Sequence, residues 1–223
     1  MFHVKPPHEH LLRKHLAWVL ATNRIHNLTA ITDEPRAWRL HVLDSLGALG
    51  AVNSAPPGEL LDIGTGGGFP GVPLGVVSGR PTLCIDSINK KTHALEEFLR
   101  SDEGYSRIHA RTVRAEALAL EQPSHYAAVV LRAVATLNSL VELSAPLLMM
   151  QGRCLCFKGA VGEDEMYAGD LAAQRCGLVR KQIRNYMIGD GSEIRCVVEY
   201  EKVAEPTLHL PRRIGIAQKR PLA

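Results

Sequence analysis

The stretch Leu61-Asp62-Ile63-Gly64-Thr65-Gly66-Gly67-Gly68-Phe69-Pro70-Gly71 decides how this chain folds. A short apolar strand is predicted at 60–63, and a helix is predicted to begin near Pro70. Glycine has no Cβ, so its backbone can bend sharply and approach a ligand closely. A strand, a glycine-rich turn and a helix in this order are typical of a nucleotide-binding crevice.

Strand and helix patterns alternate outward from this turn. Predicted strands are 60–63, 82–85, 107–111, 127–131 and 154–157, with predicted helices at 89–101, 137–150 and 163–175. Such alternation predicts a parallel, doubly wound α/β sheet with right-handed crossovers. The segments 178–188 and 194–203, with Asp190-Gly191 between them, predict an antiparallel hairpin. A mostly parallel sheet of seven strands ending in such a hairpin is the layout of the Rossmann-like class I methyltransferases.

Helical spacing dominates the amino-terminal part of the chain. Apolar residues recur at helix spacing around Leu16, and a second helix is expected to begin at Asp33. Pro56-Pro57-Gly58 then interrupts the pattern. We therefore expect one structural domain made of an amino-terminal helical extension (1–55), a methyltransferase-like core (56–205) and a basic carboxyl-terminal tail (206–223).

The composition is that of an ordinary globular protein. A length of 223 residues suits one α/β domain, and 46% hydrophobic with 22% charged residues is typical. No uninterrupted apolar stretch approaches the roughly 18 residues of a membrane span, and the first residues lack the apolar core of a secretory signal. We expect a cytoplasmic monomer with no membrane partner.

Cysteines and histidines are the residues that would mark a metal site. Cys154 and Cys156 lie on one face of a predicted strand, but no second pair has zinc-ligand spacing. The sequence therefore predicts no metal, and it predicts that the five cysteines, at 84, 154, 156, 176 and 196, are buried and reduced. The histidines at 3, 8, 10 and 15 are expected on a solvated face.

An acidic residue follows the second predicted strand. Asp86 stands 22 residues after Gly64, where a carboxylate can accept hydrogen bonds from both ribose hydroxyls of an adenosine. An N-cap for the helix from Asn89 is the alternative role. Ala115-Glu116 follows the third predicted strand, where the next loop of the crevice is expected to meet the adenine edge.

The details of the turn discriminate between adenosine ligands. A dinucleotide fingerprint has a third glycine where this chain has Phe69, and the Gly-Lys-Ser/Thr ending of a P-loop is absent from the sequence. The arrangement suits S-adenosylmethionine better, because its methionine end has no pyrophosphate. Asp62 is expected to hold either the loop or the methionine amino group. A nucleotide-dependent oxidoreductase stays open as the alternative.

Further segments resemble a known family in the same order along the chain. They are Asn27-Leu28-Thr29-Ala30, His41-Val42-Leu43-Asp44-Ser45, the stretch 62–74, Asp86-Ser87, Arg132-Ala133-Val134-Ala135, Lys158-Gly159, Pro211-Arg212-Arg213 and Lys219-Arg220-Pro221. Together they resemble the 16S ribosomal RNA guanine-N7 methyltransferases, a family also called glucose-inhibited division protein B. Two departures are Gly67, where many members have Pro, Ala or Ser, and Leu131, where a small residue is common.

The resemblance implies methyl transfer from S-adenosylmethionine to a guanine in the decoding-region loop of 16S RNA. Together with the glycine-rich turn, it points to these cofactor-binding residues: Gly64, Gly66, Phe69, Asp86, Ser87, Ala115, Glu116 and Arg132. Guanine N7 bears no hydrogen, so the transfer needs alignment rather than a catalytic base.

Two cations are the candidate catalytic residues, acting by positioning. Arg132 is the first and Lys158 the second, each following a predicted strand. For binding RNA phosphates the candidates are Arg212, Arg213, Lys219 and Arg220 in the tail. The expected partner is 16S rRNA or the small ribosomal subunit. Open alternatives are a methyltransferase acting on another RNA, a small molecule or a protein, and a non-catalytic RNA-binding assembly factor.

Overall fold

A computed structural model describes residues 5–132, 135–188 and 193–222 of the chain. The strands are β1 (Leu60–Ile63), β2 (Thr82–Asp86), β3 (Ile108–Thr112), β4 (Tyr126–Arg132), β5 (Leu148–Lys158), β6 (Leu178–Ile188) and β7 (Glu193–Lys202). The α-helices are α1 (Pro6–His26), α2 (Glu34–Ala37), α3 (Leu49–Ser54), α4 (Gly71–Ser78), α5 (Asn89–Arg100), α6 (Ala115–Glu121), α7 (Leu137–Ser144), α8 (Glu163–Arg175) and α9 (Ile216–Lys219). A π-helix spans Trp38–Leu43, and short 3-10 helices span Leu46–Ala48 and Glu103–Tyr105.

The strands of the described residues form one sheet of seven in the order β3-β2-β1-β4-β5-β7-β6. The first five in that order pair in parallel, and β7 pairs antiparallel with both β5 and β6. The predicted doubly wound sheet with a terminal hairpin is therefore confirmed. The predicted turn at Asp190-Gly191 lies outside the described residues. The strand order reverses between β1 and β4, which is where such sheets bind ligands.

Two predicted boundaries near Pro146 are wrong. The helix predicted at 137–150 ends at Ser144, because a proline has no N–H to donate to the helix and its ring clashes with the preceding turn. The strand predicted at 154–157 begins at Leu148, which pairs with Tyr126. A register shift follows that pair, and Gln151 there has φ 65°. This irregularity and the polar residues around it concealed the start of β5.

The amino-terminal extension packs on one face of the sheet. Leu12, Leu16 and Val19 of α1 are buried with Phe69 and Val72 in one apolar cluster. His15 is fully buried among them, so its predicted place on a solvated face is wrong. The helical spacing of α1 positions His15 one residue before Leu16, on the same buried face.

The segment after residue 205 is packed rather than extended. Ala217 and Leu222 are 2% and 5% exposed. Ser139 Oγ donates to Ala217 O at 2.8 Å, and Asn138 Nδ2 donates to Leu222 O at 2.8 Å. These contacts attach residues 211–222, which we call the C-terminal segment, to the start of α7.

The five cysteines are buried and free, as predicted. Cys154 Sγ and Cys156 Sγ lie 3.6 Å apart on β5. Within the described ranges, no cluster of His, Cys, Asp and Glu is arranged to hold a metal ion. No helix in the same ranges is long and apolar enough to cross a membrane.

Candidate functional site

The glycine-rich turn lies at the carboxyl end of β1, at the reversal of strand order. Gly64, Gly66 and Gly68 have φ values of 77°, 55° and 94°, a region that side chains disfavour. The amides of Gly64 and Thr65 both donate to Ile85 O, at 2.8 and 3.0 Å. The turn is thereby fixed to the end of β2, so its open edge faces the crevice.

The buried side chain of Asp62 fixes this turn by hydrogen bonds. Its Oδ2 accepts hydrogen bonds from Thr65 Oγ1 at 2.7 Å and from Gly71 N at 2.8 Å. The carboxylate is fully buried, and burial raises the pKa of Asp62 from 3.8 to about 6. Its Oδ1 has no hydrogen-bond partner among the described residues. Of the two roles predicted for Asp62, the structure shows the first, fixing the loop.

Asp86 connects the turn to the end of β2. Its Oδ2 accepts from Gly66 N at 3.1 Å and its Oδ1 accepts from Ile88 N at 3.0 Å. The residue that caps α5 is Ile88, so the alternative role of Asp86 as N-cap is not what the structure shows. The carboxylate instead lines a cavity beside the turn.

This smaller cavity measures about 90 Å³. Its lining combines predicted cofactor residues, apolar side chains and the polar side chains of Arg114 and Gln218. The full set is Ile63, Gly64, Ile85, Asp86, Ser87, Val113, Arg114, Ala115, Glu116, Leu143 and Gln218. Ala115 and Glu116 begin α6 here, although a loop was expected. The carboxylate of Glu116 accepts a hydrogen bond from Gly215 N at 2.7 Å, so it contacts the C-terminal segment.

A larger cavity of about 520 Å³ lies on the other side of Gly64, which lines both. Besides Gly64, its walls contain four predicted site residues, Gly66, Phe69, Arg132 and Lys158. It also contains residues that come from other parts of the fold, including His41, Asp44, Phe157 and Arg195. The two cavities thus meet at the glycine-rich turn.

Arg132 is fixed at the wall of the larger cavity. Its Nη1 donates to Asp44 Oδ2 at 3.1 Å and to the carbonyl oxygens of Leu40 and His41 at 3.3 and 3.4 Å. Its guanidinium carbon lies 5.6 Å from the ring centre of Phe69. Leu131, the unusual neighbour of Arg132, is fully buried in the core and leaves this geometry intact.

Asp44 connects three elements at this wall. Besides Arg132, its carboxylate accepts a hydrogen bond from Tyr186 Oη at 2.8 Å, and Arg195 Nε lies 4.0 Å away. Lys158 has a separate partner, Glu165, whose Oε1 is 2.6 Å from Nζ. Sequence reasoning missed Tyr186 and Arg195 because β6 and β7 bring them to the site only after the sheet has formed.

Phe69 lies between two histidine rings. Its ring centre is 4.6 Å from that of His15 and 5.0 Å from that of His41, and only 6% of the residue is exposed. His15 Nε2 donates to Gly67 O at 2.8 Å, and His41 Nε2 pairs with Thr29 Oγ1 at 2.6 Å. Burial lowers the pKa of both His15 and His41 from 6.5 to about 4. Both rings are therefore neutral near pH 7.

The predicted RNA-binding cations lie away from the larger cavity and do not line it. Arg212 forms a bidentate ion pair with the buried Glu142, in which Arg212 Nε lies 2.6 Å from Glu142 Oε1. Arg213, Lys219 and Arg220 are exposed and form no ion pair with any residue the structure describes. The structure thus separates Arg212, which is engaged inside the protein, from three cations that face solvent.

Solved structures with the same architecture include several methyltransferases. A geranyl diphosphate methyltransferase in complex with SAM is 13% identical, with a TM-score of 0.56 over 73% of this chain and 85% of that one. A SAM-dependent methyltransferase from Methanosarcina mazei is 15% identical, with a TM-score of 0.54 over 70% and 97%. The chain has the Rossmann-like fold of the class I methyltransferases.

Sequence relatives define the family more narrowly. The family described as rRNA small subunit methyltransferase G matches residues 8–192. Proteins called ribosomal RNA small subunit methyltransferase G are 33% identical in Carboxydothermus hydrogenoformans, over 95% of this chain and 91% of the relative, and 36% identical in Pelotomaculum thermopropionicum, over 92% and 86%. The chain belongs to this family.

Proposed function

We propose that the protein transfers the methyl group of S-adenosylmethionine to N7 of a specific guanine in 16S ribosomal RNA. The observation that supports this is the meeting of two cavities at Gly64. The smaller one has the carboxylate expected for a ribose, and the larger one has the cations and aromatic rings expected around a base. The cofactor supplies a methyl group made electrophilic by its sulfonium.

The residues of the crevice fit this cofactor. A Cβ built on Gly66 meets no atom within 4 Å, so the turn leaves space beside its backbone. Asp62 presents a buried oxygen without a partner in the described part of the chain, and an ammonium or a bridging water is the kind of donor it accepts. Asp86 reaches the smaller cavity, where its oxygens can accept from the ribose hydroxyls.

On the acceptor side, we assign Arg132 and Lys158 to positioning. N7 attacks with its own lone pair, so the site has to align nitrogen, methyl and sulfur and exclude water. The bonds from Arg132 to Asp44 and two carbonyls fix a guanidinium where it can donate to guanine O6, the edge next to N7. Phe69 and Phe157 give the cavity apolar surface for the base.

RNA phosphates are assigned to Arg213, Lys219 and Arg220. Their exposure and lack of ion pairs in the described ranges leave them available to phosphates, whereas Arg212 is held by Glu142. The proposal takes the protein to be a cytoplasmic monomer that acts on 16S RNA or on the small subunit.

The test is methyl transfer from labelled S-adenosylmethionine to small subunits that lack the modification. Digestion of the RNA to nucleosides should give the label as N7-methylguanosine, and digestion to oligonucleotides should place it in a single fragment. Label in another nucleoside would contradict the N7 assignment. An enzyme that binds the cofactor and the RNA but transfers no label would instead be a non-catalytic binding factor.

A further inference from the structure

Gln218 of the C-terminal segment lies at the smaller cavity, although no motif in the sequence places it there. It lines the smaller cavity together with Asp86, Ser87 and Glu116. It is separated from them by about a hundred residues of sequence and belongs to the short helix α9. The C-terminal segment therefore forms one wall of the cavity assigned to the adenosine.

This wall is held in place at several points. Arg212 pairs with Glu142 on α7, and Ala217 O accepts from Ser139 Oγ at 2.8 Å. Glu116 accepts from Gly215 N, three residues before Gln218, at 2.7 Å. On the other side of Gln218, Leu222 O accepts from Asn138 Nδ2 at 2.8 Å. The backbone on both sides of Gln218 is thus fixed to the core, so its side chain is confined to this part of the surface.

The polar groups of the cavity divide by chemistry. The adenine edge presents a donor at N6 and acceptors beside it, and a primary amide matches both. Arg114 can only donate, and the carboxylate of Glu116 already accepts from Gly215. Asp86 faces the ribose in the proposed function. Ser87 and Gln218 are the lining side chains that both donate and accept, and of these two only the primary amide of Gln218 carries its donor and its acceptor on separate atoms, as the adenine edge does.

We infer that Gln218 hydrogen-bonds the adenine edge of S-adenosylmethionine, which makes the C-terminal segment part of the cofactor site. This inference rests on the proposed function, because it takes the smaller cavity as the adenosine site. Apolar side chains of Ile85, Val113 and Leu143 line the same cavity and can enclose the ring. The amide then supplies the contact that distinguishes adenine from other bases.

The test compares two ligands with two variants by titration calorimetry. The ligands are S-adenosylhomocysteine and its analogue with hydrogen in place of the 6-amino group. Gln218→Ala should weaken S-adenosylhomocysteine about tenfold, the effect of a lost hydrogen bond, and weaken the analogue clearly less. Gln174→Ala, which removes an exposed glutamine amide from the end of α8, should leave both affinities unchanged.

Two outcomes would overturn the inference itself. Unchanged affinity of Gln218→Ala for S-adenosylhomocysteine excludes the contact. Equal weakening of both ligands means that the substitution disturbs the segment rather than the adenine contact, and the melting temperature of the variant checks this directly. Failure of the unsubstituted protein to bind S-adenosylhomocysteine at all would instead contradict the proposed function, which separates the two claims.

Discussion

At the scale of single residues, two carboxylates have different roles at the glycine-rich turn. Asp62 is fully buried and uses one oxygen to fix Thr65 and Gly71. Asp86 is partly exposed, holds Gly66 and lines the smaller cavity. Asp62 therefore sets the shape of the turn, and Asp86 presents a charge to whatever the turn binds.

Replacing the second carboxylate should cost affinity. Asp86→Ala removes the two charge-assisted hydrogen bonds that we propose to the ribose, each of about 1.5–3 kcal/mol, so the Kd of S-adenosylhomocysteine should rise on the order of 100-fold or more. Calorimetric titration measures this. Asp86→Asn keeps one acceptor oxygen, so its Kd should lie between the values of the unsubstituted protein and Asp86→Ala. An unchanged Kd in the alanine variant would exclude the ribose role.

Two glycines of the same stretch should respond differently to a methyl group. A Cβ on Gly71 would lie 2.7 Å from Asp62 Oδ2 and from Cys84 Sγ, so Gly71→Ala should lower the free energy of unfolding by about 1–3 kcal/mol through overpacking. At Gly66 the space is open, and only its φ of +55° costs alanine about 1–2 kcal/mol. Urea denaturation measures both losses. Because the Gly66 methyl points into open space beside the turn, this variant should lose more cofactor affinity than stability, and the reverse order would contradict the assignment.

At the scale of elements, α1 supports the turn through His15. The ring of His15 packs against Phe69 at an interplanar angle of 40° and donates to Gly67 O, so the helix contacts both the backbone and a side chain of the turn. His41, from the π-helix, stacks on the same phenylalanine. A buried and a partly buried histidine, both neutral near pH 7, thus connect the amino-terminal extension to the glycine-rich turn.

Acid should weaken this connection. The pKa of His15 is about 4 in the folded protein and 6.5 otherwise, so the folded state disfavours the extra proton. Neutral His15 therefore makes its full contribution to the free energy of unfolding above pH 6.5. This contribution falls by on the order of 3 kcal/mol as the pH falls towards 4. His15→Phe, which cannot titrate, should be less stable at pH 7 because Gly67 O loses its donor. Its free energy of unfolding should nevertheless fall less than that of the unsubstituted protein between pH 6.5 and 4.

Asp62 titrates in the same range with the opposite sign, since a raised pKa means that stability is lost as pH rises through about 6. It is present in both proteins, so the difference between their urea denaturation curves isolates His15. Parallel pH profiles for the two proteins would show that His15 contributes nothing to acid sensitivity.

The elements also show what the sequence could predict. The turn, Asp62 and Asp86 follow from local patterns, because each stands next to a strand whose apolar run is visible. The start of β5 was hidden by polar residues at an irregular pairing. His15 was predicted on a solvated face because histidine is intermediate in its tendency to be buried, so its identity alone does not reveal its burial. Tyr186 and Gln218 reach the site through long-range packing, which no local pattern encodes.

At the scale of the whole molecule, three parts of the chain enclose one crevice. The extension contributes His41 and Asp44, the core contributes the turn with Arg132, and the C-terminal segment contributes Gln218. The exposed cations lie on that same C-terminal segment, and Lys219 and Arg220 directly follow Gln218 in the chain. A long anionic substrate that reaches the larger cavity while contacting these cations has to pass over the junction of the three parts.

RNA affinity should depend on these cations through salt. Each contact with a single-stranded phosphate contributes about 0.7 to the slope of log K against log salt. Replacing both Lys219 and Arg220 by alanine should therefore weaken binding of a 16S RNA fragment and reduce that slope by about 1.4. The Kd of S-adenosylhomocysteine without RNA should stay unchanged, because neither side chain lines a cavity of the site.

The matched control removes the same number of positive charges from another part of the surface. Lys5 and Arg107 are exposed and line neither cavity, so their double replacement by alanine should leave the salt slope as it is. Electrostatic attraction by net charge alone would move both double variants equally. Equal slopes in the two variants would therefore contradict the assignment of phosphates to the C-terminal segment. A local phosphate contact depends on the position of the cation, whereas attraction by the overall charge of the protein does not.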